Sequence, residues 1–126
     1  EFEERSAAIL GCALTVQRAL GPGLLESTYQ VCLIHELRKH GLKVLSEVFV
    51  DLTYDDLTIE KAYRLDLLIE DVIVIELKTV DRLTDTHSAQ LFTYLRFAKK
   101  RLGILINFWA WPLKDGGIKR VLNSQA

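Results

Sequence analysis

The sequence predicts an α/β domain in which helices flank a mixed central β-sheet. Two helical patterns come first, three strand patterns follow, and one further helix and two strands complete the order ααβββαββ. Helices packed on both faces of such a sheet bury its apolar side chains. At 126 residues the chain is long enough for one hydrophobic core and too short for two, so we expect a single domain over residues 1–126.

Apolar residues at helical spacing predict the first two helices. The first runs over Glu3–Ala19 and ends before Gly21-Pro22-Gly23, a triplet that breaks helices. The second runs over Leu24–His40, and its apolar face repeats every fourth residue: Leu25, Tyr29, Leu33 and Leu37. Glu26 lies in the first turn, where a carboxylate complements the helix dipole, and it shares a face with Tyr29.

Apolar alternation and apolar runs predict the strands. Lys43–Tyr54 forms the first, and Asp55-Asp56 turns the chain towards the second, Ala62–Ile69. The third, Val72–Val80, opens with a continuous apolar run, as expected of a strand covered on both faces. The remaining elements are a loop over 81–86, a helix ending near Lys100, the strand Leu102–Phe108, an irregular loop over Trp109–Gly117 and the edge strand Ile118–Leu122.

An acid and a lysine end the apolar third strand. Glu76 and Lys78 share one face of this strand because side chains alternate, and burying them is costly unless they are paired or bind something. A two-residue turn at Glu70-Asp71 would place Asp66 across from Ile75, whereas a three-residue connection or a bulge would place it across from Glu76. We expect the odd-numbered connection or a bulge, because either one brings Asp66 to Glu76. Asp71 is a residue type that tolerates the left-handed conformation such a loop needs.

Oxygen ligands from Asp66 and Glu76 on neighbouring strands suit Mg²⁺ or Mn²⁺, and the Leu77 carbonyl between the key side chains is a further candidate ligand. The absence of clustered Cys and His argues against zinc. Such an ion polarises phosphoryl oxygens, and Lys78 would hold the attacking water or the scissile phosphate. The same spacing also occurs in solvated cross-strand pairs, so the residues alone leave catalysis and a structural role both open.

The net charge of −1 conceals an asymmetry along the chain. Residues 95–126 contain seven Lys and Arg residues and one acidic residue. Residues 1–94 contain nine Lys and Arg residues and sixteen acidic residues. The basic segment suits a polyanion beside an acidic metal site, and it is equally typical of a solvated helix end. Arg64 is a candidate either for an ion pair with Asp66 or for a phosphate contact. Trp109 and Trp111 either stack on bases or cover a sheet edge or partner subunit.

We expect a cytoplasmic protein without a membrane partner. No apolar run approaches the ~20 residues that span a bilayer, and the first residues are mostly acidic where a signal peptide would be basic. Cys12 and Cys32 are expected to be free thiols, as in a reducing compartment.

Gly23-Leu24-Leu25-Glu26-Ser27-Thr28-Tyr29 matches the pattern Gly-x-x-Glu-x-x-Tyr. The chain resembles the GxxExxY family, which is assigned to the PD-(D/E)XK nuclease superfamily. The resemblance continues, in order, through Arg64–Asp66, Glu76–Lys78, Gln90–Tyr94, Gly103–Phe108 and Gly117–Arg120. It implies a restriction-endonuclease-like core and divalent-metal-dependent cleavage of phosphodiesters.

Carried over by position, the resemblance assigns a role to each candidate site residue. Glu26 corresponds to the first-helix acid, Asp66 to the metal aspartate, and Glu76 and Lys78 to the acid-x-lysine motif. Glu26, Asp66, Glu76 and Leu77 are therefore the expected metal ligands. Gln90 and Tyr94 resemble the Gln-x-x-x-Tyr motif of RecB-like nucleases, which implies that they orient the lysine and contact the nucleic-acid backbone.

These expectations describe a small nuclease that uses Mg²⁺ or Mn²⁺ and acts on nucleic acid, with DNA favoured. Two rivals remain: a non-catalytic nucleic-acid-binding or protein-interaction module that retains the fold, and a subunit active only with a partner protein. A homodimer is a further expectation, since cutting two strands benefits from two sites and isologous dimers are common.

Overall fold

The computed structural model describes residues 2–126, with side chains from Glu3 onward. The helices in this range are α1 (Phe2–Leu20), α2 (Glu26–Lys39) and α3 (Asp85–Ala98). The strands are β1 (Val44–Tyr54), β2 (Leu57–Ile69), β3 (Ile73–Lys78), β4 (Leu102–Asn107) and β5 (Ile118–Leu122). The order of elements along the chain is the predicted one.

The strands form one mixed sheet in the order β1-β2-β3-β4-β5. Neighbouring strands are antiparallel except β3 and β4, which are parallel. A parallel pair needs a crossover connection, and α3 supplies it between β3 and β4. The carboxyl ends of β3 and β4 therefore lie at the same end of the sheet.

Helices cover both faces of the sheet, as predicted. On one face, α1 and α2 bury residues such as Ile9 and Leu33 against Ile75 and its neighbours. On the other face, α3 packs against β1, β4 and β5 and buries Leu91 and Leu95. Every residue of β4 is buried, which explains its continuous apolar sequence.

Two strand boundaries differ from the predicted ones by two residues or more. β2 begins at Leu57 rather than at Ala62, because residues 57–59 pair with the end of β1 although their side chains are exposed. Burial patterns do not reveal a strand that is held by backbone pairing alone. β3 ends at Lys78 rather than at Val80, because a side chain from β4 binds the Val80 backbone in place of a strand partner.

Two predictions from composition can be compared with the structure. Cys12 and Cys32 are both free thiols, as expected. Within residues 2–126, no helix is both long enough and apolar enough to cross a bilayer.

A pair of glycine substitutions tests the contact between α3 and β4. A Cβ at Gly103 would lie 2.8 Å from Leu91 Cδ2 and 2.9 Å from its Cγ, whereas a Cβ at Gly11 in α1 would meet nothing within 4 Å. We expect Gly103→Ala to lower the free energy of unfolding by about 1–3 kcal/mol through overpacking. Gly11→Ala should raise it by about 0.5–1 kcal/mol, because alanine favours a helix interior. Urea denaturation of both variants measures the difference, and equal effects would contradict the close packing.

Candidate active site

The connection between β2 and β3 sets the position of Asp66. Leu67 pairs with Ile75 and Ile69 pairs with Ile73, so three residues connect the strands and Asp66 comes next in line across from Glu76. Asp71 adopts a left-handed backbone with a φ of 63°, and Glu70 does so with a φ of 54°. The predicted odd-numbered connection is confirmed.

Asp66 and the Glu76-Leu77 segment are joined by reciprocal hydrogen bonds. The Asp66 amide donates to Glu76 Oε2 at 3.0 Å, and the Leu77 amide donates to Asp66 Oδ2 at 2.8 Å. The regular pairing of β2 with β3 ends at Leu67 and Ile75. Beyond this point β2 continues only with β1, and β3 continues with β4. The sheet therefore forks where the two carboxylates face each other.

Burial shifts the ionisation of both acids. The Glu76 side chain is buried, and this burial, followed by the nearby Asp66 carboxylate, raises the pKa of Glu76 from 4.5 to about 8. Burial likewise raises the pKa of Asp66 above its ordinary value. The positive charges of Lys78 and Arg64 oppose both shifts without cancelling them.

Lys78 is half-buried, two residues beyond Glu76 on the same strand face. In the described part of the chain, the ion pairs are Lys39–Glu36 and Lys100–Asp71. Neither Lys78 nor Arg64 is thus in a direct ion pair with the two acids, although both charges act on them. The ion pair that was one alternative for Arg64 does not form.

Tyr94 of α3 lies against this side of the sheet. Its ring packs on Tyr63 of β2 with centroids 4.9 Å apart. Burial, followed by the carboxylates of Glu76 and Asp66, raises the pKa of Tyr94, so its hydroxyl keeps its proton. Gln90 lies one helical turn earlier and is exposed. The structure thus brings Tyr94 near the acids, and the role of Gln90 stays a prediction.

Glu26 lies at the start of α2, on the helix layer that covers the opposite face. Three residues later, Tyr29 stacks on Phe108 at 4.5 Å, and the Phe108 amide donates to the Lys78 carbonyl at 2.9 Å. Glu26 is exposed, although it precedes the fully buried Tyr29 by less than one turn. No group of three acid, histidine or cysteine side chains suited to a metal forms within residues 2–126. The contribution of Glu26 therefore stays a prediction, as does that of the Leu77 carbonyl.

Asn107 is a positioning residue that the sequence analysis did not identify. Its side chain is fully buried, accepts a hydrogen bond from the Val80 amide at 3.0 Å and donates to the Val80 carbonyl at 2.8 Å. Asn107 also pairs with Lys78 in the parallel register. The only signal in the sequence is a polar residue between Ile106 and Phe108 inside an apolar strand.

Glu47 of β1 is a second residue that the sequence analysis missed. The pairs Ser46–Leu67 and Val48–Leu65 place it across from Asp66, and its φ of 54° is unusual inside a strand. The Glu47 charge contributes to the raised pKa of Asp66. Alternation along β1 gives no indication of this neighbour, because the pairing register is a property of the folded sheet.

The geometry defines a class of protein: an α/β domain that holds two facing carboxylates and a lysine at a fork in its sheet. The sequence profile of the PD-(D/E)XK nuclease superfamily matches residues 3–121. The chain belongs to this superfamily. Its five-stranded mixed sheet flanked by helices agrees with the restriction-endonuclease-like core that the resemblance implies.

Among solved structures, the crystal structure of SSO0001 is similar to this chain. It superposes on the chain with a TM-score of 0.59 and 19% sequence identity. The match covers 78% of this chain and 50% of SSO0001, so the chain spans about half the length of that protein. At this identity the likeness shows a shared fold. A comparison with curated protein sequences gives no match.

The raised pKa of Glu76 predicts how stability depends on pH in metal-free buffer containing a chelator. The folded state retains a proton that the unfolded state releases between pH 4.5 and about pH 8. Stability should therefore be fully present below this range and fall as pH rises through it, by about 1.4 kcal/mol per pH unit for one proton. The Glu76→Gln variant should lose stability less steeply as pH rises. Near pH 8 it should be more stable than the native protein.

Chemical denaturation across this pH range checks the prediction. Glu4→Gln is the matched control, since Glu4 is exposed in the first turn of α1. This variant should keep the native slope. Parallel slopes for the native protein and Glu76→Gln would show that Glu76 is not the titrating group.

Proposed function

We propose that the chain is a divalent-metal-dependent nuclease of the GxxExxY family that hydrolyses phosphodiester bonds in DNA. The observation that carries the proposal is the facing pair of acids, Asp66 and Glu76, with Lys78 on the same strand face. Membership of the PD-(D/E)XK superfamily supports nuclease chemistry at this pair. The motif from Gly23 to Tyr29 supports the narrower family assignment.

The two acids fit a hard cation such as Mg²⁺ or Mn²⁺. Glu76 Oε2 and Asp66 Oδ2 each accept a backbone amide, and the second oxygen of each carboxylate accepts no hydrogen bond from residues 2–126. Burial raises the pKa of both acids, and the facing Asp66 carboxylate adds to the rise for Glu76. A bound cation would take the place of the proton and offset both effects. We propose the Leu77 carbonyl as a further ligand and Glu26 as one that assists directly or through water, since residues 2–126 form no group of three such side chains. When bound, the cation supplies polarisation of a phosphoryl oxygen and activation of a water.

Lys78 would act directly on the reacting groups. Its ammonium group has three donors and makes no ion pair with the two acids in the described structure. We propose that it donates to the scissile phosphate or holds the attacking water. Tyr94 and Gln90 would position Lys78 and the nucleic-acid backbone, since the Tyr94 hydroxyl keeps the proton it needs to act as a donor.

The charge distribution supports a polyanionic substrate. Residues 95–126 contain seven Lys and Arg and a single acid. Of these cations, Lys100 forms a described ion pair, with Asp71, whereas Arg96, Lys99 and Arg101 at the end of α3 are exposed. Because α3 also carries Gln90 and Tyr94, phosphates held at its carboxyl end would belong to a strand that runs along the site.

A metal titration tests the ligand assignment without any need for turnover. We expect saturating Mg²⁺ or Mn²⁺ to raise the Tm of the native protein by several degrees, because a ligand at 100 times its Kd stabilises by about 2.7 kcal/mol. The rise should be larger at about pH 8 than at about pH 6, since the cation binds deprotonated acids. The double variant Asp66→Asn with Glu76→Gln should show no rise, and an undiminished rise would place the metal elsewhere.

Cleavage assays on supercoiled plasmid and on single-stranded circular DNA test the activity. Asp66→Asn, Glu76→Gln and Lys78→Ala should each reduce metal-dependent cutting by about 100-fold or more, as expected for groups that stabilise transition-state charge. Glu4→Gln, which changes an exposed acid of α1, should retain the native rate.

Other outcomes identify the rival functions. DNA binding without cutting, unchanged by Glu76→Gln, would indicate a non-catalytic binding module. Cutting that begins only after cell lysate is added, and that Lys78→Ala still abolishes, would indicate a subunit that needs a partner protein. Cutting that persists in Glu76→Gln would exclude this site as its source.

A further inference from the structure

The loop that follows β4 exposes two large aromatic side chains. Trp109 is 47% exposed and Trp111 is 57% exposed. They are the only tryptophans in the chain. Indole rings have a large apolar surface, and neighbouring rings of this kind in contact with solvent indicate a binding surface. Rings that covered the sheet edge would be mostly buried, so that alternative does not account for their exposure.

The buried side chain of Gln17 holds the loop in place. The Gln17 side chain in α1 is buried, and its amide group donates to the carbonyls of Phe108, at 3.3 Å, and Ala110. The Gln17 carbonyl oxygen accepts the Leu113 amide at 2.8 Å. These bonds fix the backbone on both sides of Trp111. The exposed rings are therefore presented by an ordered loop, which lowers the entropy lost when a ligand packs on them.

The loop lies at the end of the sheet that carries the acids and the lysine. Lys78 pairs with Asn107 in the parallel register, and the Phe108 amide donates to the Lys78 carbonyl. Trp109 follows directly. The tryptophan loop therefore begins beside the backbone of Lys78.

Charge and ring chemistry together select the ligand. Residues 108–122 contain the exposed cations Lys114, Lys119 and Arg120 and one acid, Asp115. Cations that follow exposed aromatic rings in the same segment suit a chain of phosphates and bases, in which each base stacks on a ring. In a duplex both faces of a base are already stacked, so only unpaired bases can use such rings without first being flipped out.

We propose that Trp109 and Trp111 form a stacking platform for unpaired nucleobases, which makes single-stranded or locally unpaired nucleic acid the substrate. The inference rests on the proposed function for the site beside the loop, whereas the platform itself binds independently of cleavage. Bases of the strand stack on the two rings while its backbone passes the fork between Asp66 and Glu76.

Tryptophan fluorescence gives a direct readout, since all of it comes from Trp109 and Trp111. The native chain is titrated in a chelating buffer with four probes of equal length: oligo-dT, oligo-rU, a DNA duplex and an abasic strand that keeps the phosphates and lacks the bases. We expect strong quenching by oligo-dT, oligo-rU or both, and the stronger of the two identifies the preferred sugar. The duplex and the abasic strand should bind at least about tenfold more weakly, because they offer no free base.

Variants establish which ring binds. Trp109→Ala and Trp111→Ala should each weaken binding of fluorescein-labelled oligo-dT or oligo-rU about tenfold in fluorescence anisotropy, with an unchanged Tm because the rings are exposed. Tyr54→Ala is the matched control, since Tyr54 is an exposed aromatic residue at the end of β1 to which neither proposal assigns a role. This variant should bind as the native protein does.

The failures of the platform and of the proposed function are distinguishable. Equal binding of the abasic strand, equal binding of the duplex, or no binding of any oligonucleotide would overturn the platform; the last result would favour a protein partner on the loop. Metal-dependent cutting without base-dependent quenching would refute the stacking platform and support the nuclease function. Base-dependent quenching without cutting, both alone and with added lysate, would support the platform and exclude the nuclease function.

Discussion

The reciprocal hydrogen bonds between Asp66 and the Glu76-Leu77 segment are the constraint on which the site depends. At this point the backbone pairing of β2 with β3 ends, and two carboxylates accept the amides that the strands present to each other. Buried amides need a partner, so the acids of the proposed metal site also satisfy a structural requirement of the sheet. The fork follows from the same contact. β2 continues as a hairpin with β1, β3 continues beside β4, and the side chains of the facing acids occupy the branching point.

The order of the elements and the acid pair were accessible from the sequence because each depends on local pattern. Apolar spacing predicts α1 to β5 in the correct order, and the need to bring Asp66 across from Glu76 predicts an odd-numbered connection. The position of Glu47 beside the site could not be predicted from the sequence. Its position across from Asp66 depends on the β1–β2 register, and its left-handed backbone is not a property of the residue type. The strand conformation of the exposed residues 57–61 was not predicted for a related reason. Backbone pairing alone leaves no apolar pattern in the sequence.

Buried amide side chains organise the end of the sheet at which the site lies. Asn107 binds both backbone groups of Val80 and so directs the chain as it leaves β3. Gln17 performs the equivalent task for the loop after β4 and joins it to α1. In the sequence, both residues only interrupt an apolar pattern. In the fold, buried polar groups with satisfied hydrogen bonds specify one local structure. The segments on either side of Lys78 are therefore fixed by contacts that do not themselves take part in chemistry.

The separated charges at the fork lack the stabilisation that a direct ion pair would provide. A direct ion pair between Lys78 and Glu76 would lower the pKa of the acid, yet the described structure contains no such pair and the pKa stays near 8. Pairing would occupy the ammonium donors and a carboxylate oxygen together. Kept apart, the acids attract a cation and the lysine attracts an anion, so the same region suits both a metal ion and a phosphate. A site arranged only for stability would have paired these charges, so their separation adds to the argument for a function that the facing acids carry.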